Sequence, residues 1–342
     1  MIQPIEERKI LSFYHDAKKL LNGVMVAPRF VSMWLTNYCN LECSGCWWMK
    51  GHDQSQKRMD TGKYRMLIDE LTELKVEGIE YTGGGESTLH PDFCRMAMYA
   101  KEKGLAVGIL TNGTVLSKDY LEKNECSIDT FRYVRVSLDA AGPGTYESAK
   151  KNNLFERVVA NTCSLVEARG QLTFPRVGFK FLLNKANLTE MAEMVALAES
   201  SCVDYVQFKL EHSSDGTIDD KQARYADLQI RKLRKKADIP VYGSAERKKC
   251  LHKCFMSPIH AVIDCEGNVY ACCFFSDERG LIGNAFEQGF GNVWFSDKHR
   301  NVMESITPEM CDGASGMGCR WFGYNEIMDK VISEHEGDLE FI

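Results

Sequence analysis

The residues of this chain best suited to chemistry are its cysteines, and their spacing is uneven. Cys39, Cys43 and Cys46 follow a C-x3-C-x2-C pattern at the end of an apolar stretch. A structural zinc or iron site closes its shell with four protein ligands, whereas three leave one metal position open to bind and activate something else. The bland alternatives are a zinc knuckle or a group of buried free thiols, since short patterns recur by chance. Of the fourteen cysteines, Cys250, Cys254, Cys265, Cys272, Cys273, Cys311 and Cys319 crowd the last third, while Cys94, Cys126, Cys163 and Cys202 stand apart and read as core. In a reducing compartment such crowding points to metal or redox chemistry rather than disulfides.

A second element strengthens the open-site reading. Tyr81-Thr82-Gly83-Gly84-Gly85-Glu86-Ser87 follows a short β-rich run. Glycines there let backbone approach a neighbour closely, and a carboxylate can accept hydrogen bonds from an ammonium group. Together the two motifs resemble those of the radical S-adenosylmethionine (SAM) enzymes. The resemblance implies a 4Fe-4S cluster on Cys39, Cys43 and Cys46, SAM chelating the fourth iron, and Glu86 on the SAM amino group beside Gly83, Gly84 and Gly85. This chain departs from the family at Ser87, where proline is usual, and at Gly45, where an aromatic is usual. Trp47 or Trp48 would then pack on the adenine.

The elements that must position these residues are legible as an alternation. Short β-rich runs recur at 31–35, 79–81, 106–110, 133–138, 177–183 and 205–210, separated by stretches with helical apolar spacing. Tyr64, Leu67, Ile68, Leu71 and Leu74 form one such stretch; Leu188, Met191, Met194, Val195 and Ala198 form another. Strands alternating with helices imply parallel strands joined by right-handed crossovers. A doubly wound sheet would alternate in the same way, but cysteines and glycines fall just beyond successive strand ends, where barrels carry their sites. The fold class is therefore α/β: a partial (β/α)6 TIM-like barrel, the fold that the resemblance also implies, with a small C-terminal α+β domain.

Further strand ends offer polar groups. Thr111-Asn112-Gly113 follows the third strand and Ser137-Leu138-Asp139 the fourth. The resemblance implies SAM contacts at Asn112, Ser137 and Asp139, although Asn-Gly also reads simply as a turn. Lys180 and Lys209 sit inside their strands; pointing inward, each would need a carboxylate or a substrate anion.

Beyond residue 211 comes a polar loop, a charged helix and then the cysteine-rich end. Alternating residues on either side of Glu266-Gly267-Asn268 signal a hairpin. Cys254, the hairpin, Cys272, Gly283-Asn284-Ala285-Phe286, Val293-Trp294-Phe295 and the closing Cys311 and Cys319 resemble the SPASM/Twitch extension of radical SAM enzymes, in its shorter Twitch form. The resemblance implies an auxiliary 4Fe-4S cluster on Cys254, Cys272, Cys311 and Cys319. The gap between Cys311 and Cys319 is wider than a typical Twitch shows. Cys250, Cys265 and Cys273 are left over as alternative ligands, structural thiols or a hydrogen-atom donor. Four-cysteine zinc is the main rival, because ligand type alone does not separate the metals. The expected organisation is an N-terminal extension (1–30), the barrel (31–213), a linker helix (214–249) and the auxiliary domain (250–342).

A net charge of -6 disfavours a nucleic-acid binder. The basic run at 231–236, with Arg247-Lys248-Lys249, reads as a solvated helix face rather than a phosphate-contacting patch. No apolar run reaches membrane-spanning length and the start of the chain lacks a signal-peptide pattern, so a cytoplasmic protein is expected. The resemblance implies that a reductase, flavodoxin or ferredoxin supplies the electron that cleaves SAM. A 5'-deoxyadenosyl radical then abstracts hydrogen, leading to dehydrogenation if the auxiliary cluster takes the remaining electron or epimerisation if a thiol returns hydrogen. Too few residues precede Cys39 for the leader-binding domain of many peptide-modifying relatives. The expected partner is accordingly a small molecule: a sugar, aminocyclitol or aminoglycoside. Peptide maturation is the alternative. A non-catalytic, zinc-stabilised interaction protein is the alternative of another class, though it leaves Gly83-Gly84-Gly85-Glu86 unexplained.

Overall fold

The computed structural model describes residues 11–46, 56–211, 217–246, 254–315, 319 and 321–333. Among the described residues ten strands form one sheet: β1 (Phe30–Met33), β2 (Gly78–Tyr81), β3 (Ala106–Thr111), β4 (Tyr133–Ser137), β5 (Arg176–Leu183), β6 (Tyr205–Leu210), β7 (Val241–Gly243), β8 (His260–Ile263), β9 (Asn268–Tyr270) and β10 (Leu281–Asn284). Their spatial order is β10-β9-β8-β1-β2-β3-β4-β5-β6-β7. Neighbours from β1 through β7 are parallel, as helical crossovers require. All six expected strands and the α/β partial barrel are present.

The alternation of side chains explains which face closes over helices. Val134 and Val136 of β4 and Val177, Phe179, Phe181 and Leu183 of β5 enter the main apolar core. It also takes Tyr64, Leu67, Ile68 and Leu71 from the helix Thr61–Glu73 and Met191, Met194, Val195 and Ala198 from the helix Met191–Ser200. The intervening residues line a polar interior. There the Tyr133 hydroxyl donates to Glu80 across β3. Gly108 makes that crossing possible, since a Cβ there would lie 2.3 Å from the Tyr133 ring.

Two features depart from the expected organisation. The segment read as a linker contains the helix Asp220–Lys236 but also a seventh parallel strand, β7, too short for its alternation to be seen in sequence. The C-terminal hairpin does not build a separate sheet. β8 pairs with β1 in parallel, Phe30 opposite His260 and Met33 opposite Ile263, and β9 and β10 extend it antiparallel. The basic run at 231–236 ends its helix, where Arg231 pairs with Asp227 and Arg234 donates to the Val241 and Gly243 carbonyls. Among the described residues no helix is long and apolar enough to cross a membrane.

The far end is fastened by buried polar contacts. Glu70 accepts the Phe290 and Gly291 N–H groups, both at 2.7 Å, and Trp294 Nε1 donates to the Val26 carbonyl at 2.8 Å. Trp294 packs on His299, which is fully buried with Nδ1 2.6 Å from the Trp294 carbonyl. Burial pushes the His299 pKa down to about 4. An imidazole held neutral stabilises the fold fully above its ordinary value near 6.5, and that stability is lost as the pH falls toward 4. His299→Gln should therefore flatten the acid limb of stability, by at most about 1.4 kcal/mol per pH unit across that window. Denaturant midpoints of both proteins at successive pH values check this, and parallel curves would remove His299 from the acid response.

Candidate functional site

The three-cysteine loop has no regular structure of its own and is held by the ends of other strands. Gly85 N–H donates to the Thr36 carbonyl at 2.7 Å and Glu86 N–H to the Tyr38 carbonyl at 2.8 Å. This pairing explains the three glycines. A Cβ on Gly85 would lie 1.9 Å from the Tyr38 carbonyl oxygen, and one on Gly83 would lie 1.9 Å from the Trp34 indole nitrogen. Gly83 and Gly84 also adopt φ of +62° and +56°, a region open to glycine. The glycines thus admit the thiol loop.

Cys39, Cys43 and Cys46 are all half-buried and lie within electrostatic reach of one another. Burial pushes the Cys39 thiol up to about 12, and the charges of Glu86, Cys43 and Cys46 add to it. In such a pocket thiolates demand a cation, which is what a cluster iron supplies. Cys43 is also raised by burial, but Lys150 draws it back. Lys150 is 5% exposed and paired with Asp139. Its helix, Pro143–Lys150, is tied to the thiol loop where the Ser44 N–H donates to the Ala149 carbonyl at 3.0 Å.

Two residues expected to meet SAM through their carboxylates also have partners within the chain. Glu86 is 4% exposed. Its carboxylate accepts from Thr88 N (3.2 Å), Thr88 Oγ1 (2.7 Å), Thr111 Oγ1 (2.8 Å) and Asn112 N (2.7 Å). Burial pushes its pKa up against the pull of these donors. It is the strand-end cap that ties β2 to β3. Asp139, at φ +59°, accepts Leu182 N–H at 2.7 Å with one oxygen and pairs with Lys150 through the other. Its carboxylate locks β4 to β5. Asn112 lies beside the thiol loop: its Nδ2 reaches Asn40 Oδ1 at 2.9 Å and the Cys39 sulfur at 3.9 Å. Ser137 is half-buried at the end of β4, opposite Lys180 of β5.

The departures at Ser87 and Gly45 have structural counterparts. Ser87 opens the turn Ser87–Leu89, a first position where proline and serine both fit because no intrahelical N–H bond is needed. At Gly45 a Cβ would lie 1.8 Å from Glu211 Oε1. Glu211, at the end of β6 and 5% exposed, fills the volume that an aromatic would take. Trp47 and Trp48 lie outside the described residues, as does Cys250.

In the C-terminal site, Cys254 and Cys319 share one partner. Asn325 Nδ2 lies 3.8 Å from the Cys254 sulfur and 3.9 Å from that of Cys319. Ser257 N–H reaches Cys254 at 3.3 Å and Trp321 N–H reaches Cys319 at 3.4 Å. A hydrogen bond donated to Cys273, together with burial, pushes the Cys272 thiol well above its ordinary value, and the Cys254 charge adds to this. Cys311 lies on the helix Pro308–Ser315, which packs against the turn Cys273–Phe275. Of the leftover thiols, Cys265 is buried in the main core, its sulfur 3.4 Å from Asn37 Oδ1, while Cys273 joins Cys46 on the apolar patch of Trp34, Val262 and Tyr270. Among the described residues no three His, Cys, Asp or Glu side chains converge on a point fit for a single ion.

Comparison with known proteins gives the family. The family model described as the radical SAM superfamily matches residues 34–180, and that of the SPASM iron-sulfur cluster-binding domain matches 254–318. The chain is a radical SAM enzyme with a SPASM-type domain. The cofactors of these domains are a SAM-binding 4Fe-4S cluster, SAM itself and auxiliary iron-sulfur. The mycofactocin maturase MftC of Mycobacterium tuberculosis is 25% identical over 305 residues, covering 85% of this chain and 75% of the relative. The AdoMet-dependent heme synthase of Methanosarcina barkeri is 26% identical over 354 residues, covering 90% and 95%. The structure of Streptococcus suis SuiB bound to the precursor peptide SuiA shares the fold, with a TM-score of 0.69 at 14% identity over 90% of this chain and 75% of that one.

These relatives correct the expected substrate. The match to a maturase over most of the chain overturns the sugar, aminocyclitol or aminoglycoside reading and the small-molecule partner that went with it. The shortness of the segment before Cys39 misled, because a count of residues says nothing about what the barrel mouth accepts.

Two outcomes follow from the geometry. Glu86→Gln should turn an NH2 group toward donors it cannot accept from, costing about 1–3 kcal/mol of stability, the penalty of an unsatisfied buried group. Urea denaturation measures it, and unchanged stability would show the cap to be dispensable. Gly45→Phe should lower cluster retention in the wild-type background and be relieved by Glu211→Ala. Additive effects in that double-mutant cycle would separate the two residues.

Proposed function

We propose that this radical SAM enzyme modifies a peptide, removing hydrogen from an unactivated C–H position and passing the remaining electron to the C-terminal cluster. The observation that carries the substrate class is the match to MftC along most of the chain. The SuiB likeness supports the fold of such an enzyme.

On this reading Cys39, Cys43 and Cys46 hold the SAM-binding cluster, and Cys254, Cys272, Cys311 and Cys319 hold the auxiliary one. When bound, the first cluster and SAM together supply the 5'-deoxyadenosyl radical. The chain's own residues do the positioning. Gly83, Gly84 and Gly85 seat the thiol loop against β2, Asn112 orients it from β3, and Lys150 sets the charge beside Cys43. Ser137 and the backbone of the glycine loop would meet SAM, and the Glu86 and Asp139 carboxylates, which also brace the strand ends, would face it from β2 and β4. Oxidation is the outcome we favour because an auxiliary cluster can take the remaining electron; Cys265 belongs to the core, which leaves Cys273 as the described thiol able to return hydrogen. A cytoplasmic setting suits a chain whose cysteines serve iron-sulfur ligation.

Short peptides encoded beside the gene, incubated anaerobically with reconstituted protein, SAM and dithionite, test this reading. Mass spectrometry should find peptide lighter by two hydrogens in step with 5'-deoxyadenosine. The Cys39→Ala, Cys43→Ala, Cys46→Ala triple variant should form neither product while keeping iron at the C-terminal site. Turnover of a tetrapyrrole with no peptide modified would overturn the peptide reading. Unchanged peptide mass with solvent deuterium incorporated would replace oxidation by epimerisation.

A further inference from the structure

Asn325 is 2% exposed and lies in the helix Phe322–Ser333, whose Met328 packs with Phe255, Met256 and Ile259 in a small apolar core. The orientation of its side-chain amide follows from its neighbours. Phe255 N–H can only donate, and it lies 2.8 Å from Oδ1. The oxygen must therefore face Phe255, and the NH2 group must face the other way. On that side lie the sulfurs of Cys254 at 3.8 Å and Cys319 at 3.9 Å. A buried amide seeks partners for both of its N–H groups, and here the two sulfurs provide one each.

This arrangement is more than structural glue. Hydrogen bonds to cluster sulfurs are among the factors that set an iron-sulfur reduction potential. An N–H dipole aimed at a thiolate favours the state carrying more negative charge, which is the reduced one. The apolar surroundings leave the dipole poorly screened. The backbone N–H groups of Ser257 and Trp321 act in the same sense on the same two sulfurs.

We propose that Asn325 is a positioning residue that raises the reduction potential of the C-terminal cluster through one N–H···S bond to Cys254 and one to Cys319, biasing that cluster to accept an electron. One electron is taken up, and no bond forms or breaks at Asn325. The inference rests on Cys254 and Cys319 being ligands.

The test uses the full chain carrying Cys39→Ala, Cys43→Ala and Cys46→Ala, so that only the C-terminal cluster reports. Its potential is read by EPR-monitored redox titration, alone and with Asn325→Asp or Asn325→Ala. Asn325→Asp keeps the oxygen that accepts from Phe255 but places negative charge at the sulfurs. Both variants should shift the midpoint to more negative potential at equal iron content, aspartate further than alanine. An unchanged midpoint at equal iron content would overturn the proposal. Should the substitutions lose iron, pulsed EPR on protein labelled with 15N only at asparagine reads the contact with Asn325 intact. A 15N coupling to the reduced cluster is expected, and its absence would equally overturn the proposal. No cluster signal at all in the triple-alanine background would instead refute the ligand assignment on which the inference stands.

Discussion

The thiol loop owes its shape to two backbone hydrogen bonds. Gly85 and Glu86 each donate an N–H to a carbonyl of the segment leading into Cys39. A loop that must carry three thiolates toward one cluster cannot also satisfy its own peptide groups by forming a helix or a strand, so the groups must be satisfied from outside. The glycines follow, because any side chain would push the two backbones apart. So does the buried carboxylate of Glu86, which gathers donors from its own turn and from the end of β3 so that the donating strand end cannot drift. Asp139 does the same one position further round, between β4, β5 and Lys150. Carboxylates that look like ligand-binding groups in the sequence also brace the site.

The second half of the molecule is organised by a different economy. Its thiols come from segments far apart in sequence, and what joins Cys254 to Cys319 is a side chain from a helix beyond both. Its attachment to the barrel is stiffer than a linker would give. β8 hydrogen-bonds along β1, and Glu70 caps the short helix Phe290–Trp294 from the barrel side.

How much of this could be read from sequence differs with the range of the interaction. The six parallel strands and their helices were legible because their periodicity is local. The iron-sulfur character of the two cysteine-rich segments was legible because metal ligation restricts residue type. β7 escaped because three residues carry no readable alternation, and the union of β8 with β1 escaped because nothing in either segment names its partner. Glu86 and Asp139 lie at strand ends as read, but their bonds within the chain escaped, since a carboxylate's partners depend on donors brought in from other strands. Lys150, Glu211 and Asn325 carried no signal. Each is defined by what it lies against, and Glu211 becomes conspicuous only once Gly45 is seen to leave it room.

The parallel pairing of β8 with β1 also bears on how the molecule can be divided. Cutting the chain near residue 250 would strip β1 of its neighbour and bare the backbone of Phe30–Met33, a run whose Val31 and Met33 are completely buried. An uncovered apolar edge of this kind recruits strands from other molecules. The isolated barrel would thus be prone to assemble with itself. The C-terminal segment acts as the cover that keeps the first strand from becoming an adhesive surface.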